Sequence, residues 1–202
     1  MLVYFKPVKN EKNIHIALEI VSELFASKIA KILNLPILDV TLTKFKNSMG
    51  LLMDYLPEKA DQRISNIAEI RKSLAFEEWI LNIDLKEEHV LAKENKGYII
   101  DHGHAISAWK PLYYIAQIID KRVTRFNLWA EEEDFSEGIE LVKSIDNKTI
   151  KELLRESFSE VQEANFCKLF TGQVGEEYFD LSLRLLEKRA SILESIKNTI
   201  YQ

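Results

Sequence analysis

Cysteine, glycine, proline and concentrated basic charge are all scarce in this chain, and each scarcity excludes something. A single cysteine, Cys167, rules out an internal disulfide and reads as a small core residue. Six glycines and four prolines among 202 residues leave little punctuation, so most of the chain is expected to be helical. No apolar run approaches a membrane span, and the N-terminus lacks the apolar stretch of a signal peptide, so the expected address is cytoplasmic, with no membrane partner. The net charge is -5, without a basic tail, which argues against a nucleic-acid partner bound by phosphate neutralisation. The densest charge is acidic, Glu131 to Asp134, as a solvated helix end or loop would carry. Trp79, Trp109 and Trp129 have nothing basic interleaved with them and are expected in core or lobe packing.

What remains is 47% hydrophobic and 29% charged, enough for a real core under a soluble surface. The length fits one domain or two small lobes sharing a cleft. Residues 2–6 read as a strand ending before Pro7, and 14–33 as a helix stopped at Asn34 with Pro36 beyond. Strands follow at 39–45 and 51–55, separated by the turn-like K-N-S-M-G. Ser65 is placed to cap a helix carrying Ile67, Ile70, Leu74 and Leu81 on one stripe. His89–Ala92 and Gly97–Ile100 read as a hairpin closed by K-E-N-K. Helical patterns then occupy 111–120, 136–144, 147–157 and 175–200. The expected architecture is α+β: a small β-α-β-β lobe over residues 1–57 and a larger, mostly helical lobe over 58–202, meeting near M-D-Y-L-P-E.

Candidate chemistry gathers in N-I-D-L-K-E-E-H-V-L-A (82–92) and Y-I-I-D-H-G-H-A-I (98–106). Phosphoryl transfer needs one carboxylate to orient the attacking hydroxyl and take its proton, and a second to hold the metal on the phosphates. Asp84 follows a helix and Asp101 ends the next strand, so a hairpin brings them together. D-L-K-E-E-H before D-H-G has the layout of the protein-kinase pattern D-L-x-x-x-N before D-F-G. Taken singly, both aspartates are also ordinary turn residues. His102 and His104, flanking Gly103, share a face of an extended segment and with His89 admit a zinc reading; one capping a turn and one packing in the core is the plainer alternative. His15 reads as a surface residue at a helix start.

Three further segments extend this pattern. S-E-L-F-A-S-K-I-A-K-I-L-N-L-P (22–36), F-E-E-W-I-L-N-I-D (76–84) and L-L-E-K-R-A-S-I-L (185–193) resemble, in order, segments of the HipA-like kinases, relatives of the phosphatidylinositol kinases. The resemblance implies a reduced two-lobe protein-kinase-like fold that transfers phosphate from ATP, with Mg²⁺ or Mn²⁺, to a serine or threonine hydroxyl of an unknown protein substrate. It implies Asp84 as base and Asp101 as metal ligand, with Lys6 on the nucleotide phosphates and Glu23 pairing with Lys6. Backbone groups of M-D-Y-L, Met53 and Tyr55 among them, would meet the adenine. Lys86 fits the D-L-K form, steadying the transferring phosphate. His89 stands where the family has a metal-binding Asn, and imidazole suits Mn²⁺ or Zn²⁺ better than Mg²⁺. Only five residues precede Lys6, so the family's Gly-rich strand pair is expected upstream, or else the nucleotide is held without it or not held. Two alternatives stay open: a pseudokinase or protein-binding module on the same fold, and a small-molecule phosphotransferase of the aminoglycoside type.

Overall fold

The β-favouring run V-Y-F ahead of Pro7 builds the first strand, β1 (Val3–Pro7), in the computed structural model, which describes residues 2–9, 13–106, 111–170 and 172–201. Two more strands, β2 (Val40–Phe45) and β3 (Ser48–Asp54), complete an antiparallel sheet in the order β1-β3-β2. The register sets Tyr4 opposite Met53 and Lys6 opposite Leu51, with Val40 facing Met53 from the other side. Period-two pleating therefore puts Tyr4, Lys6, Leu51, Met53 and Val40 on one face. The β2–β3 turn is tighter than expected. Lys46 takes a left-handed φ of 54°, and β3 begins at Ser48, inside the stretch read as a loop.

Between β1 and β2 runs α1 (Ile14–Leu33), buried on most of its circumference. Asn13 caps its start, accepting the His15 N–H at 3.0 Å. Asn34 ends it with φ 53°, a left-handed C-cap of the kind asparagine tolerates. The chain then runs past Pro36 onto the second sheet, where Ile99 N–H donates to Pro36 O at 2.8 Å and Leu38 N–H to Ile99 O at 3.0 Å. These two bonds tie the segment after α1 to the second sheet.

That second sheet is β4 (Glu58–Lys59), β5 (Val90–Lys93) and β6 (Lys96–Ile99), antiparallel in that order. The β5–β6 hairpin turns on Glu94 and Asn95, both at positive φ, the geometry a two-residue hairpin loop demands. β4 lies just past Pro57, where no strand was expected. His89 falls in a 3₁₀ turn, Glu87–His89, rather than in the strand after it.

Helices form the rest: α2 (Ile67–Trp79), the short α3 (Leu112–Ile118), α4 (Glu132–Ser144), α5 (Asn147–Ala164) and α6 (Gly172–Ile200). Ser65 does not cap α2. Its hydroxyl donates to Asn95 O at 2.9 Å, and Asn66 is likewise bonded through its side chain to Gly97, because the hairpin claims both. α4 starts earlier than its apolar pattern, since Glu131 and Asp134 form a capping box and the acidic run meets the positive helix end. α4 crosses α2 at Gly138, where a Cβ would lie 2.2 Å from Lys72 O. Trp79 is core, its indole N–H donating to Leu186 O at 3.0 Å, and Trp129 packs edge-on against Phe126. Cys167 is buried, as expected; Trp109 lies outside the described residues.

A buried arginine–glutamate pair ties the helices together. Arg189 of α6 meets Glu78 of α2 at 2.7 Å, both side chains fully buried. The guanidinium also donates to Glu78 O and to Ile119 O and Lys121 O, at 2.6 to 2.8 Å. Thus α2, α6 and the loop after α3 are stitched at one point. Among the described residues no helix is long and apolar enough to cross a membrane.

Candidate active site

Lys6 is the centre of the cleft's polar end. β1 pleating turns it inward, and its ammonium reaches Glu23 Oε1 at 3.1 Å and Asp101 Oδ1 at 2.8 Å. Glu23 comes from the middle of α1 and is only 5% exposed, so the helix face carrying it is not a solvated one. Its second oxygen accepts the backbone N–H of His102 at 3.0 Å, which leaves both carboxylate oxygens bonded. Burial works against the charge on Lys6, but Glu23 and Asp101 outweigh it and hold the ammonium above the ordinary lysine range. Burial likewise works against Asp101, and Lys6 outweighs it, keeping the carboxyl below its usual range. Asp101 has φ 67°, a left-handed backbone that costs a non-glycine residue about 1 kcal/mol and that aspartate tolerates better than most. Local strain there is held by the long-range bond to Lys6.

Beside this polar end opens a cavity of about 340 Å³ between the two sheets. Its walls are mainly apolar, with Leu38, Val40, Met53, Leu56, Leu91 and Ile100, and Lys6, Glu23 and Asp101 stand at its edge. Met53 and Tyr55 both line it. An apolar slot with a few convergent polar groups is the usual form of a small-molecule site.

Asp84 sits at a different end. After α2 the chain turns through Leu81 at φ 59°, a position where glycine is usual, and delivers Asn82, Ile83 and Asp84. Asn82 is fully buried; its amide donates to Glu77 Oε2 at 2.7 Å. Its oxygen lies 3.4 Å from the Asp84 N–H. Lys86 Nζ donates to Asp84 Oδ2 at 3.0 Å, His104 Nδ1 is 3.4 Å from the same oxygen, and Arg125 Nη1 is 3.6 Å from Oδ1. Burial favours the neutral acid, but Lys86 first and His104 second hold Asp84 below the usual carboxylate range.

The two ends are joined by an internal relay. His102 is buried, with Nε2 2.9 Å from Glu77 Oε1, and Glu77 in turn holds Asn82 next to Asp84. Burial opposes a charged His102, and Glu77 overcomes it, so the imidazole pKa is raised. His102 and His104 therefore serve different partners and do not share a face. Gly103 sits in a turn that sends one inward and one toward Asp84.

His89 lies beside Asp101, Nε2 to Oδ2 3.9 Å, and burial, opposed by Asp101, lowers its pKa and favours the neutral ring. Among the described residues its buried Nδ1 has no hydrogen-bond partner. Among the described residues no group of three or more His, Cys, Asp or Glu is gathered to hold a metal by protein ligands alone. The donor set at Asp101 suits a hard cation that takes one or two carboxylates and completes its shell with phosphate oxygens and water.

Of the proposed site residues, Lys6, Glu23, Met53, Tyr55 and Asp101 line the cavity, His89 stands beside Asp101, and Asp84 with Lys86 forms a separate pair joined to them through His102, Glu77 and Asn82. Glu77, Asn82 and Arg125 escaped assignment to the site, and His102, read only as a zinc or turn candidate, belongs to the link between its ends. Glu77 carried a signal, a carboxylate within the apolar F-E-E-W stretch. Arg125 carried none, since it reaches Asp84 only through the tertiary fold. Comparison with protein-family models, with curated proteins and with solved structures gives no match for this chain.

Proposed function

We propose that this protein is a kinase-like phosphotransferase, in the manner of the HipA-like enzymes its segments resemble, moving a phosphoryl group from ATP to a protein serine or threonine hydroxyl. One observation carries the reading: Lys6, clamped by Glu23 and Asp101, stands at the polar edge of an apolar cavity walled by Met53 and Leu56. A base and phosphates have opposite demands, and this cavity meets both. The apolar walls exclude water around the base, and Lys6 supplies positive charge to the phosphates. Asp101 is the residue to hold Mg²⁺ or Mn²⁺, with His89 beside it; the metal, when bound, neutralises charge on the phosphate oxygens. Asp84, ionised at neutral pH, orients the acceptor hydroxyl and takes its proton. Lys86, on the same carboxylate, is within a side-chain swing of a phosphate placed there.

A binding-only protein is the second reading, favoured by the Lys6–Asp101 contact itself, because it occupies an oxygen that a metal would use. Nucleotide titration separates the two. Wild type is expected to gain thermal stability from ATP with Mg²⁺ or Mn²⁺, and Asp101→Ala to lose that gain. Asp84→Asn should keep the binding and lose transfer of label from γ-³²P-ATP. If neither metal supports stabilisation by ATP, the enzyme reading is abandoned.

A further inference from the structure

The acceptor itself leaves a trace in the loop after α3, provided the phosphotransferase reading holds. K-R-V-T-R, residues 121–125, carries three cations in five positions, and Lys121, Arg122 and Arg125 are all exposed. The two residues between them turn inward, Val123 half-buried and Thr124 buried. Their backbone N–H groups donate to the Glu78 carboxylate at 2.9 to 3.2 Å, and the Thr124 hydroxyl donates to the same group. Arg189 completes the anchor by binding Glu78 and the carbonyls of Ile119 and Lys121. A buried ion pair is a weak source of net stability. What this one yields is position. It fixes a strip whose inward groups are satisfied and whose outward side chains are all cations.

The strip ends at the catalytic carboxylate. Arg125 is 64% exposed and stands 3.6 Å from Asp84 Oδ1, too far for a hydrogen bond, while Lys86 occupies Oδ2. Around Asp84 itself the nearest charges are positive, one carboxylate against Lys86 and Arg125. Glu87 and Glu88 follow Lys86 in the chain, and Arg122 shares the surroundings of Tyr201 with Glu131, Glu132 and Asp134. Asp120 is itself paired with Lys188 at 2.9 Å. An acceptor must bring its hydroxyl to Asp84, and the residues flanking that hydroxyl then lie against Arg125. A planar guanidinium left without a hydrogen bond is suited to a second carboxylate. We infer that the acceptor is an acidic peptide segment, a serine or threonine flanked by Asp or Glu, read by Arg125 and the Lys121–Arg122 pair behind it. The whole protein is net negative, so this attraction is local to the strip and sensitive to salt.

Fluorescence anisotropy on the full chain tests this without requiring turnover. The probes are a fluorescein-labelled serine peptide flanked by glutamates and its counterpart flanked by lysines. Wild type should bind the acidic peptide at least about tenfold tighter, roughly the free energy of one charge-assisted hydrogen bond. Arg125→Gln should bring the ratio near one, and Arg125→Glu should reverse it. Arg122→Gln combined with Lys121→Gln should reduce the preference without abolishing it, which gives a readout if Arg125 variants fold poorly. Equal affinity for the two peptides, preference for the basic one, or binding of neither by wild type overturns the inference. ATP titration in parallel keeps the two readings apart. A nucleotide-binding protein with no acidic preference loses only this inference. A protein that selects the acidic peptide but never binds ATP loses the phosphotransferase reading and keeps the strip as an acidic-segment site.

Discussion

The Lys6 end and the Asp84 end of the cleft are built from the same residue types with opposite balance. At the first, one ammonium lies between two carboxylates, Glu23 and Asp101, a formal surplus of one negative charge. At the second, one carboxylate lies among Lys86, Arg125 and the imidazole of His104, with the two fixed cations alone giving a surplus of one positive charge. The first end has one fully enclosed partner, Glu23, and draws on β1, α1 and the end of the β6 strand. The second is more open and hangs on a turn and a loop. A negative surplus beside a cavity invites a divalent cation with its phosphates; a positive surplus at the base invites an anionic acceptor. On the proposed reading, the asymmetry separates the place that binds from the place that selects.

The largest expected effect is on the anchor that holds only the Asp84 end. Arg189→Leu leaves Glu78 charged in a fully buried site and frees the carbonyls of Ile119 and Lys121. By the usual cost of breaking a buried pair, it should lose about 3–5 kcal/mol in urea denaturation. A loss below about 1 kcal/mol would mean that the pair does not hold the loop. Glu78→Gln keeps the side-chain shape but sets an amide NH₂ against donors, since Val123, Thr124 and Arg189 all donate to this carboxylate. It also leaves Arg189 without its counter-charge, so a loss of the same order is expected.

Lys6→Met breaks the other end. Glu23 keeps its bond from His102 N–H but loses its counter-charge, so the protein without nucleotide should be destabilised by about 1–3 kcal/mol. Because Lys6 is itself part-exposed, the lower half of that range is expected. Stabilisation by ATP should vanish in the same variant. Retention of full ATP stabilisation by Lys6→Met would remove Lys6 from the phosphate site.

Much of the first end was legible in the sequence, and little of the second. Lys6 sits in a short strand-like run before Pro7, Glu23 among small residues on a helix, and Asp101 just past a strand, two residues before Gly103. The roles of Lys6 and Glu23 come from the resemblance, with only the small-residue stripe around Glu23 as independent support. The Asp84 end depends on Leu81 taking a left-handed turn without glycine and on a loop pinned by Glu78 and Arg189. Neither has a local signature: a leucine does not announce positive φ, and the Glu78–Arg189 pair joins residues far apart in sequence. Ser65 illustrates the same limit from the other side. It has cap chemistry at the correct place, but a hairpin contact, non-local in sequence, outcompetes the cap. The α+β class and the helices survive such competition because their apolar stripes are long, whereas α4 and β3 begin earlier than read because a capping box and a tight turn set their ends.

Acid titration sharpens the comparison by a smaller effect. Asp84 and Asp101 both have folded pKa values below their ordinary ones. Their contribution to stability is therefore complete above the unfolded value, about 4, and falls away as pH drops through the folded values. Lys6 has a raised folded pKa, so its contribution is present at neutral pH and falls away only when pH climbs above the ordinary lysine range, past about 10.4. Urea melts between about pH 2 and 6 should accordingly show stability rising with pH over the acid limb. Lys6→Met should flatten that slope more than Lys86→Met, because Asp101 then loses its main partner. An equal slope in both variants would deny the difference between the two ends.

Lys86→Met is the smallest perturbation and the most specific. Lys86 is 39% exposed, and its pairing with Asp84 is partly solvated, worth about 0–1 kcal/mol. Arg125 and His104 remain near Asp84 when it is gone, so the stability measured without ligand should change by less than about 1 kcal/mol. The stabilisation gained from ATP should also be close to that of wild type, since the cavity and Lys6 are untouched. Transfer of phosphate to an acceptor should nonetheless fall, because the positive charge nearest the base is removed. A drop of about tenfold or more is what removing one charge-assisted hydrogen bond from the transition state produces. Binding intact with transfer impaired is the signature of the selecting end. Binding impaired with transfer per bound nucleotide intact would move Lys86 to the Lys6 end and erase the division between them.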